Sequence, residues 1–383
     1  MLVGVDRDFV GSGAARVTAA AGDRTKKRFR HAPAMSAAFE ATDETSLVEY
    51  LANAFGFSAL STALFGTGAY SSYLFVGFFA ALDLGVLQTY VHFNGGEHIL
   101  VRSPNVVAGY AAVFLGVYGI RYMSSRYGDA MAAIRLEERV ELSEADAFRR
   151  TISWRTKVVV YVSALAVLYA NTIINVGVPN RVTAINFLFI WEFVFLPVIV
   201  EFALTYYGIH FLLPRQIRRA DLDMFFYDPR NMGGFAAVGQ LLKRSYYLYT
   251  AGLLLFFLLV YGTVLFSLGG YVPGTFELAF FSVAWFVGLL SIGHSMYVLH
   301  QFMSGEREDR IRELEGELHD ALENPYDINN SEVTDEERLK DVRRRLEQVR
   351  GTRVYPATFT MWSQIAISVL LPQLLQLTVQ TAF

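Results

Sequence analysis

The chain has 383 residues, a formal net charge of −3 and no cysteine; 53% of its residues are apolar and 15% aromatic. Soluble domains reach only about 45–50% apolar even when glycine is counted, so this composition describes an integral membrane protein and excludes an ordinary soluble one. Without cysteine there is no disulfide framework, no thiolate nucleophile and no cysteine metal ligand, and charges gathered into connections give no basis for nucleic-acid binding.

Residues 1–46 are rich in Ala, Gly and Arg, carry the basic cluster Arg24, Lys26, Lys27, Arg28 and Arg30, and have neither a sustained apolar period nor the apolar core of a cleavable signal peptide. They are expected to form a disordered cytoplasmic tail, within which Met35 offers an alternative start. Residues 47–68 are moderately apolar and are read as a re-entrant or interfacial helix. Seven stretches then have the length and apolarity of membrane-spanning helices, about 71–93, 104–124, 157–178, 182–212, 246–269, 275–303 and 357–383. The fold class is therefore all-α, a polytopic membrane protein with seven transmembrane helices. Its parts are a transmembrane domain over 47–303, a cytoplasmic helical hairpin over 304–356 and a terminal transmembrane helix over 357–383.

Orientation follows from Lys and Arg. The second-to-third connection (Arg126, Arg135, Arg139, Arg149, Arg150, Arg155) and the fourth-to-fifth (Arg215, Arg218, Arg219, Arg230, Lys243, Arg244) are basic, like the N-terminal tail, whereas the intervening connections hold only Arg102 and Arg181. Basic connections stay in the cytoplasm, so the N-terminus is expected inside and the C-terminus outside, in the cell membrane. The fourth span is expected to run past the bilayer through Tyr206 and His210 to Pro214. After it, Asp228-Pro229 and Gly233-Gly234 mark a turn before a helix of 235–245; a plain turn is the simpler reading of this loop and an internal docking surface the other.

The segment 304–355 has two apolar stripes at helical spacing, Ile311, Leu314, Leu318, Leu322 and Leu339, Val342, Leu346, Val349, with charges between them. Asn324-Pro325 ends the first helix and Thr334-Asp335-Glu336-Glu337 reads as the capping box of the second, which makes an antiparallel hairpin. Its narrow stripes are covered by one another, by other inner loops or by further copies. Pro356 precedes the last stretch, in which Gln373, Gln376 and Gln380 recur at i, i+3 and i+7. Lipid cannot satisfy a carboxamide, so these three face other helices or a water-filled path.

No HExxH pair, GxSxG elbow, Walker loop or GxGxxG is present, so an enzyme is not expected, nor a catalytic residue, a metal site or a cofactor. The lysines, at 26, 27, 157, 243 and 340, lie in connections or at a span's edge, which excludes a retinal Schiff base. His210, His294 and His300 sit in the inner halves of the fourth and sixth spans; haem ligation is one reading and hydrogen-bonded interhelical histidine the plainer one. Asp83, Glu192, Glu201 and Glu277 are acids within spans, each expected to face protein or water. Glu192 and Glu201 are nine residues apart, which on an α-helix puts them on opposite sides of the fourth span. Glu201, mid-span, is read as a pocket anchor, a proton carrier or a buried partner for Tyr or His. Trp191, Glu192, Tyr271 and Glu277 lie at outer ends of spans and are the candidate lining of a small-molecule pocket, an aromatic interface belt being the default alternative.

Seven spans, an internal N-terminus, long inner and short outer connections, and a charged inner helix leading into the last span together resemble the seven-transmembrane ion channel superfamily that includes insect odorant and gustatory receptors. The resemblance covers about residues 47–383 and is one of architecture. The resemblance does not extend to that family's C-terminal signature, Thr-Tyr followed after five residues by Gln-Phe: Thr358-Phe359 has no Gln-Phe at that distance and Gln380 is followed by Thr381. It implies a ligand-gated cation channel assembled as a homotetramer, with residues 335–355 in a cytoplasmic anchor and 357–383 lining the pore, where Gln373, Gln376 and Gln380 would stand. The other class in view is a monomeric transporter or transmembrane sensor whose hairpin binds a partner. The orientation itself is open to direct test. In this cysteine-free chain, single cysteines placed at Glu332 and at Gly270 are expected to react with an impermeant thiol reagent from opposite sides of the membrane, and labelling of both from one side overturns the topology.

Overall fold

A computed structural model describes residues 46–139, 148, 152–176, 185–220, 222–265, 275–327, 329 and 332–355. The expected tail and the last hydrophobic stretch, with Gln373, Gln376 and Gln380, lie outside the described residues. Two short helices, α1 (Leu47–Ala54) and α2 (Phe57–Phe65), occupy the segment read as interfacial. The Ser46 hydroxyl caps α1 by accepting from the Glu49 N–H at 3.0 Å, and Gly56, with φ +82°, makes the left-handed step between the two helices.

Five helical runs among the described residues are long and apolar enough to cross a membrane: α3 (Gly68–Phe93), α4 (Val106–Ala133), Phe189–Arg219 within α6 (Ile185–Arg219), Ala236–Gly262 within α7 (Ala236–Leu265), and Phe281–Asp320 within α8 (Thr275–Asp320). The helix α5 (Trp154–Val176) stands where the third span was expected. The chain is thus an all-α, polytopic membrane protein. α7 runs unbroken from Ala236 to Leu265, so the short helix expected at 235–245 and the fifth span are one element.

α6 contains two π segments, Ile185–Phe195 and Gly208–Leu212, each followed by an α-helical stretch that starts next to a proline, Leu196–Tyr207 and Leu213–Arg219. Proline supplies no N–H and crowds the carbonyl four residues before it, so the turn ahead of Pro197 and of Pro214 widens instead of breaking. The Phe193 carbonyl, which Pro197 leaves without a helical donor, accepts from the Tyr161 hydroxyl of α5 at 3.3 Å. A third π segment, Leu82–Leu87, lies mid-way along α3, and there the Leu84 carbonyl accepts from His98 Nε2 at 3.1 Å. In lipid such carbonyls have no water to turn to, which is why a side chain from a neighbouring segment meets each.

α8 spans 46 residues, Thr275–Asp320, without a break. At about 1.5 Å per residue it is about 69 Å long, roughly twice the hydrocarbon core, so the sixth span and the first hairpin helix are a single rod. A two-residue antiparallel ribbon, β1 (Leu322–Glu323) with β2 (Glu332–Val333), turns the chain; an all-helical hairpin with a polar loop was expected there. α9 (Glu336–Gly351) begins one residue later than the capping box implied: Asp335, not Thr334, is the cap, accepting from the Arg338 N–H at 3.0 Å. A carboxylate in that position also faces the positive end of the helix dipole.

The two stripes meet as expected. Leu314, Val342, Leu346 and Val349 are buried together, and Phe226 from the α6–α7 loop packs on them. That loop is therefore a docking surface as well as a turn. Its shape comes from Asp228, whose carboxylate accepts from the N–H groups of Arg230 (3.0 Å), Met232 (3.1 Å) and Gly234 (3.0 Å), with Gly233 and Gly234 at φ +60° and +85°. Burial works to raise the Asp228 carboxyl, but the three N–H bonds and the nearby Arg230 outweigh it and hold the group below its ordinary value of 3.8. The ionised carboxylate thus contributes its full stabilisation above that value, and the contribution is lost as pH falls below it through the lower value of the folded state. Asp228→Asn is expected to lower stability by about 1–3 kcal/mol at neutral pH, with the gap between parent and variant closing on acidification. Thermal unfolding of the detergent-purified protein across pH checks this.

Candidate functional site

The clearest intramembrane constellation lies where α6, α7 and α8 meet. His210, in the second π segment of α6, is fully buried; its Nε2 is 2.9 Å from Ser245 Oγ of α7 and its Nδ1 3.3 Å from Ser295 Oγ of α8. One turn earlier the Tyr206 hydroxyl is 2.5 Å from Ser291 Oγ, and its ring stacks on Tyr249 at 4.6 Å and meets that of His210, tilted by 36°, at 4.2 Å. Two i, i+4 pairs thus face each other, Tyr206 with His210 on α6 and Ser291 with Ser295 on α8. The serines also reach carbonyls of their own helices, Ser291 that of Gly288 at 2.7 Å and Ser295 that of Ile292 at 3.0 Å. Each ring nitrogen of His210 thus faces a serine hydroxyl that also reaches a main-chain carbonyl of its own helix, Ser245 that of Leu241 at 2.9 Å and Ser295 that of Ile292 at 3.0 Å. Both ring nitrogens of His210 are engaged within the protein, so the structure favours the interhelical reading of this histidine over haem ligation.

A second set of contacts ties the acids down. Glu201 is 1% exposed; its carboxylate pairs with Lys157 Nζ of α5 at 3.2 Å and accepts from the Val48 N–H of α1 at 3.4 Å. The acid thereby joins three elements, and the first turn of α1 presents the positive end of its dipole to it. Asp83, in the π segment of α3, accepts from the Tyr110 hydroxyl of α4. Tyr110 in turn meets the ring of Trp191 at 5.4 Å and of Phe195 at 5.8 Å.

The third feature is a clamp around residues 352–355, where the chain leaves α9 toward the last hydrophobic stretch. His300 of α8 donates from Nδ1 to the Val354 carbonyl at 3.1 Å and stacks flat on Tyr355, with centroids 4.0 Å apart and planes 1° apart. Arg307 donates to the Thr352 carbonyl at 3.4 Å, and the Arg353 N–H donates to the Asn231 carbonyl of the docking loop at 2.8 Å. Gln348 reaches the Phe226 carbonyl of the same loop at 2.8 Å. The α8 rod, the α6–α7 loop and α9 therefore hold one short backbone segment from three sides.

Of the candidate pocket residues, Trp191 is packed in the aromatic cluster with Tyr110 and Phe195, its ring tip 3.0 Å from where a Cβ on Gly109 would lie. Glu192 is buried, and Tyr169 of α5 is its electrostatic neighbour. Glu192 lies in the first π segment of α6, where the turn is wider than that of an α-helix. Glu201 is a buried pairing partner, for Lys157 rather than for Tyr or His. Tyr271 and the side chain of Glu277 lie outside the described residues. Sequence reading did not find the Lys157 partnership, the serines or the clamp. The two i, i+4 polar pairs on spans otherwise apolar were the one available signal.

Comparison with protein-family models, curated proteins and solved structures returns no match. The class rests on the molecule itself: a multi-pass helical membrane protein whose helices α6, α7 and α8 share a buried hydrogen-bonded core and whose α8 continues beyond bilayer length into a docked hairpin.

The close packing of that core separates two glycines of α8. A Cβ on Gly288 would lie 2.6 Å from Tyr249 Cε1, whereas one on Gly293 meets nothing within 4 Å. Gly288→Ala is expected to displace the Tyr249 ring and destabilise by about 1–3 kcal/mol, while Gly293→Ala raises stability by up to about 1 kcal/mol through helix propensity. Opposite shifts in melting temperature check the pair.

Proposed function

We propose that the chain is a subunit of a homo-oligomeric cation channel in the cell membrane, gated by a small organic ligand bound among spans two to six, with the last hydrophobic stretch lining the pore. The carrying observation is the clamp. His300, Arg307, Asn231 and Phe226 fix the backbone at 348–355, so a displacement of α6 or α8 inside the membrane is delivered to the base of residues 357–383. Gln373, Gln376 and Gln380 on that stretch supply amide oxygens able to replace part of a monovalent cation's hydration shell. The architectural resemblance to seven-transmembrane channels, with a charged inner helix ahead of the last span, supports the same reading.

A monomeric transporter or transmembrane sensor is the second reading. It is favoured by the buried acids Asp83 and Glu201, paired within the spans to Tyr110 and Lys157, since ionisable groups at such depth mark ion and proton pathways. Stoichiometry and conductance separate the two. Native mass spectrometry of the purified protein is expected to give oligomers, and Gln376→Glu is expected to raise cation over anion permeability in planar bilayers by adding a ring of charge. Monomers alone, or identical reversal potentials for parent and variant in asymmetric salt, overturn the channel.

A further inference from the structure

An open groove of about 550 Å³ lies between the first turns of α3 and the second half of α4. On α4 it is lined by Tyr118, Arg121, Tyr122, Ser125, Arg126 and Asp129, residues at i, i+3, i+4, i+7, i+8 and i+11, hence one face of the helix. Tyr70 and Tyr73 close it from α3. Arg126 pairs with Asp129 at 3.0 Å and lies over the Tyr122 ring at 5.4 Å. Arg244 of α7 donates to the Tyr122 hydroxyl at 2.7 Å. Three guanidinium groups thus gather around Tyr122 and the groove against one carboxylate. Arg121 has no carboxylate partner among the described residues. It stands five residues further toward the middle of the apolar helix than Arg126, about 7.5 Å by helix rise. A half-buried cation at that depth in a span requires an anion.

We infer that this groove binds the phosphate of an anionic phospholipid from the leaflet facing the basic connections. The position fits, because tyrosine rings and arginine stems belong at headgroup level, with the charged tip drawn to the surface. Guanidinium forks match phosphate oxygens in pairs, and the hydroxyls of Tyr118 and Ser125 on the same wall and of Tyr73 on the facing one are further donors. The volume admits a phosphate together with its headgroup substituent. The acyl chains would run along the lipid-facing side of α3 and α4, where Phe78, Val107 and Tyr118 are exposed. The site is independent of the channel proposal; only the naming of its leaflet as cytoplasmic rests on the proposed orientation.

Native mass spectrometry of the full chain titrated with phosphatidylglycerol, against phosphatidylcholine as the zwitterionic control, tests it. Phosphatidylglycerol is expected to bind selectively, with affinity falling about five-fold in Arg121→Gln and about thirty-fold in Arg121→Gln with Arg126→Gln, at about 1 kcal/mol per surface charge. Excess inorganic phosphate is expected to leave the lipid adduct in place; its displacement assigns the groove to a free anion and overturns the lipid reading. Equal binding of the two lipids, or unchanged affinity in the double variant, also overturns it. Should the variants not fold, a photoreactive phosphatidylglycerol on the parent chain decides: adducts are expected in 69–73 or 118–129, and adducts confined elsewhere refute the site.

Discussion

Inside a bilayer every polar group needs a partner from the protein, and most of what is specific in this structure follows from that requirement. Prolines at 197 and 214 widen α6 into π turns, and the Phe193 carbonyl freed by the first is met by Tyr161. The π segment of α3 exposes the Leu84 carbonyl, which His98 meets. Glu201 is tolerated at 1% exposure because Lys157 and the start of α1 surround it. Each of these contacts also joins two segments distant in sequence, so the satisfaction of polar groups and the assembly of the helices are the same event.

The helix α8 joins the membrane-spanning region to the hairpin. α8 carries Ser291 and Ser295 in the buried core and His300 and Arg307 at the clamp on one uninterrupted helical backbone. The hairpin it enters is held by apolar burial of Leu314, Val342, Leu346 and Val349 with Phe226. Exposed ion pairs such as Arg350 with Glu315 at 3.2 Å border that contact, and pairs of this kind contribute little beyond orientation. The loop ordered by Asp228 lies between hairpin and membrane helices, so a polar loop, not a hydrophobic interface alone, sets their relation.

The neutral hydrogen-bonded core around His210 and the charged groove around Tyr122 divide the polar groups of the spans into two kinds. The first is buried, with serines of two helices meeting Tyr206 and both ring nitrogens of His210, and its rings pack closely enough that Gly288 has no room for a methyl group. The second is open to the surrounding medium and carries excess positive charge. Buried networks specify packing; open basic ones await an anion.

Composition and periodicity determined the class of this protein without help. Runs of apolar residues longer than a bilayer is thick permit only helices, and the stripes of the hairpin announced their mutual burial because a 3.6-residue period leaves a single apolar face. The α6–α7 turn was legible in Asp228-Pro229 and Gly233-Gly234 for the same local reason: breaker residues act on their own backbone. The π segments, the one-residue shift of the α9 cap, the continuity of α8 and the β1–β2 ribbon were not, since each depends on which of several nearly equal local options a neighbour favours. The partners of Glu201 and His210 were further out of reach. Lys157 is 44 residues from Glu201, and Ser295 is 85 from His210. A sequence states that a buried acid or imidazole needs a partner; only the tertiary arrangement, by bringing one helix against another in a given phase, decides which residue it is.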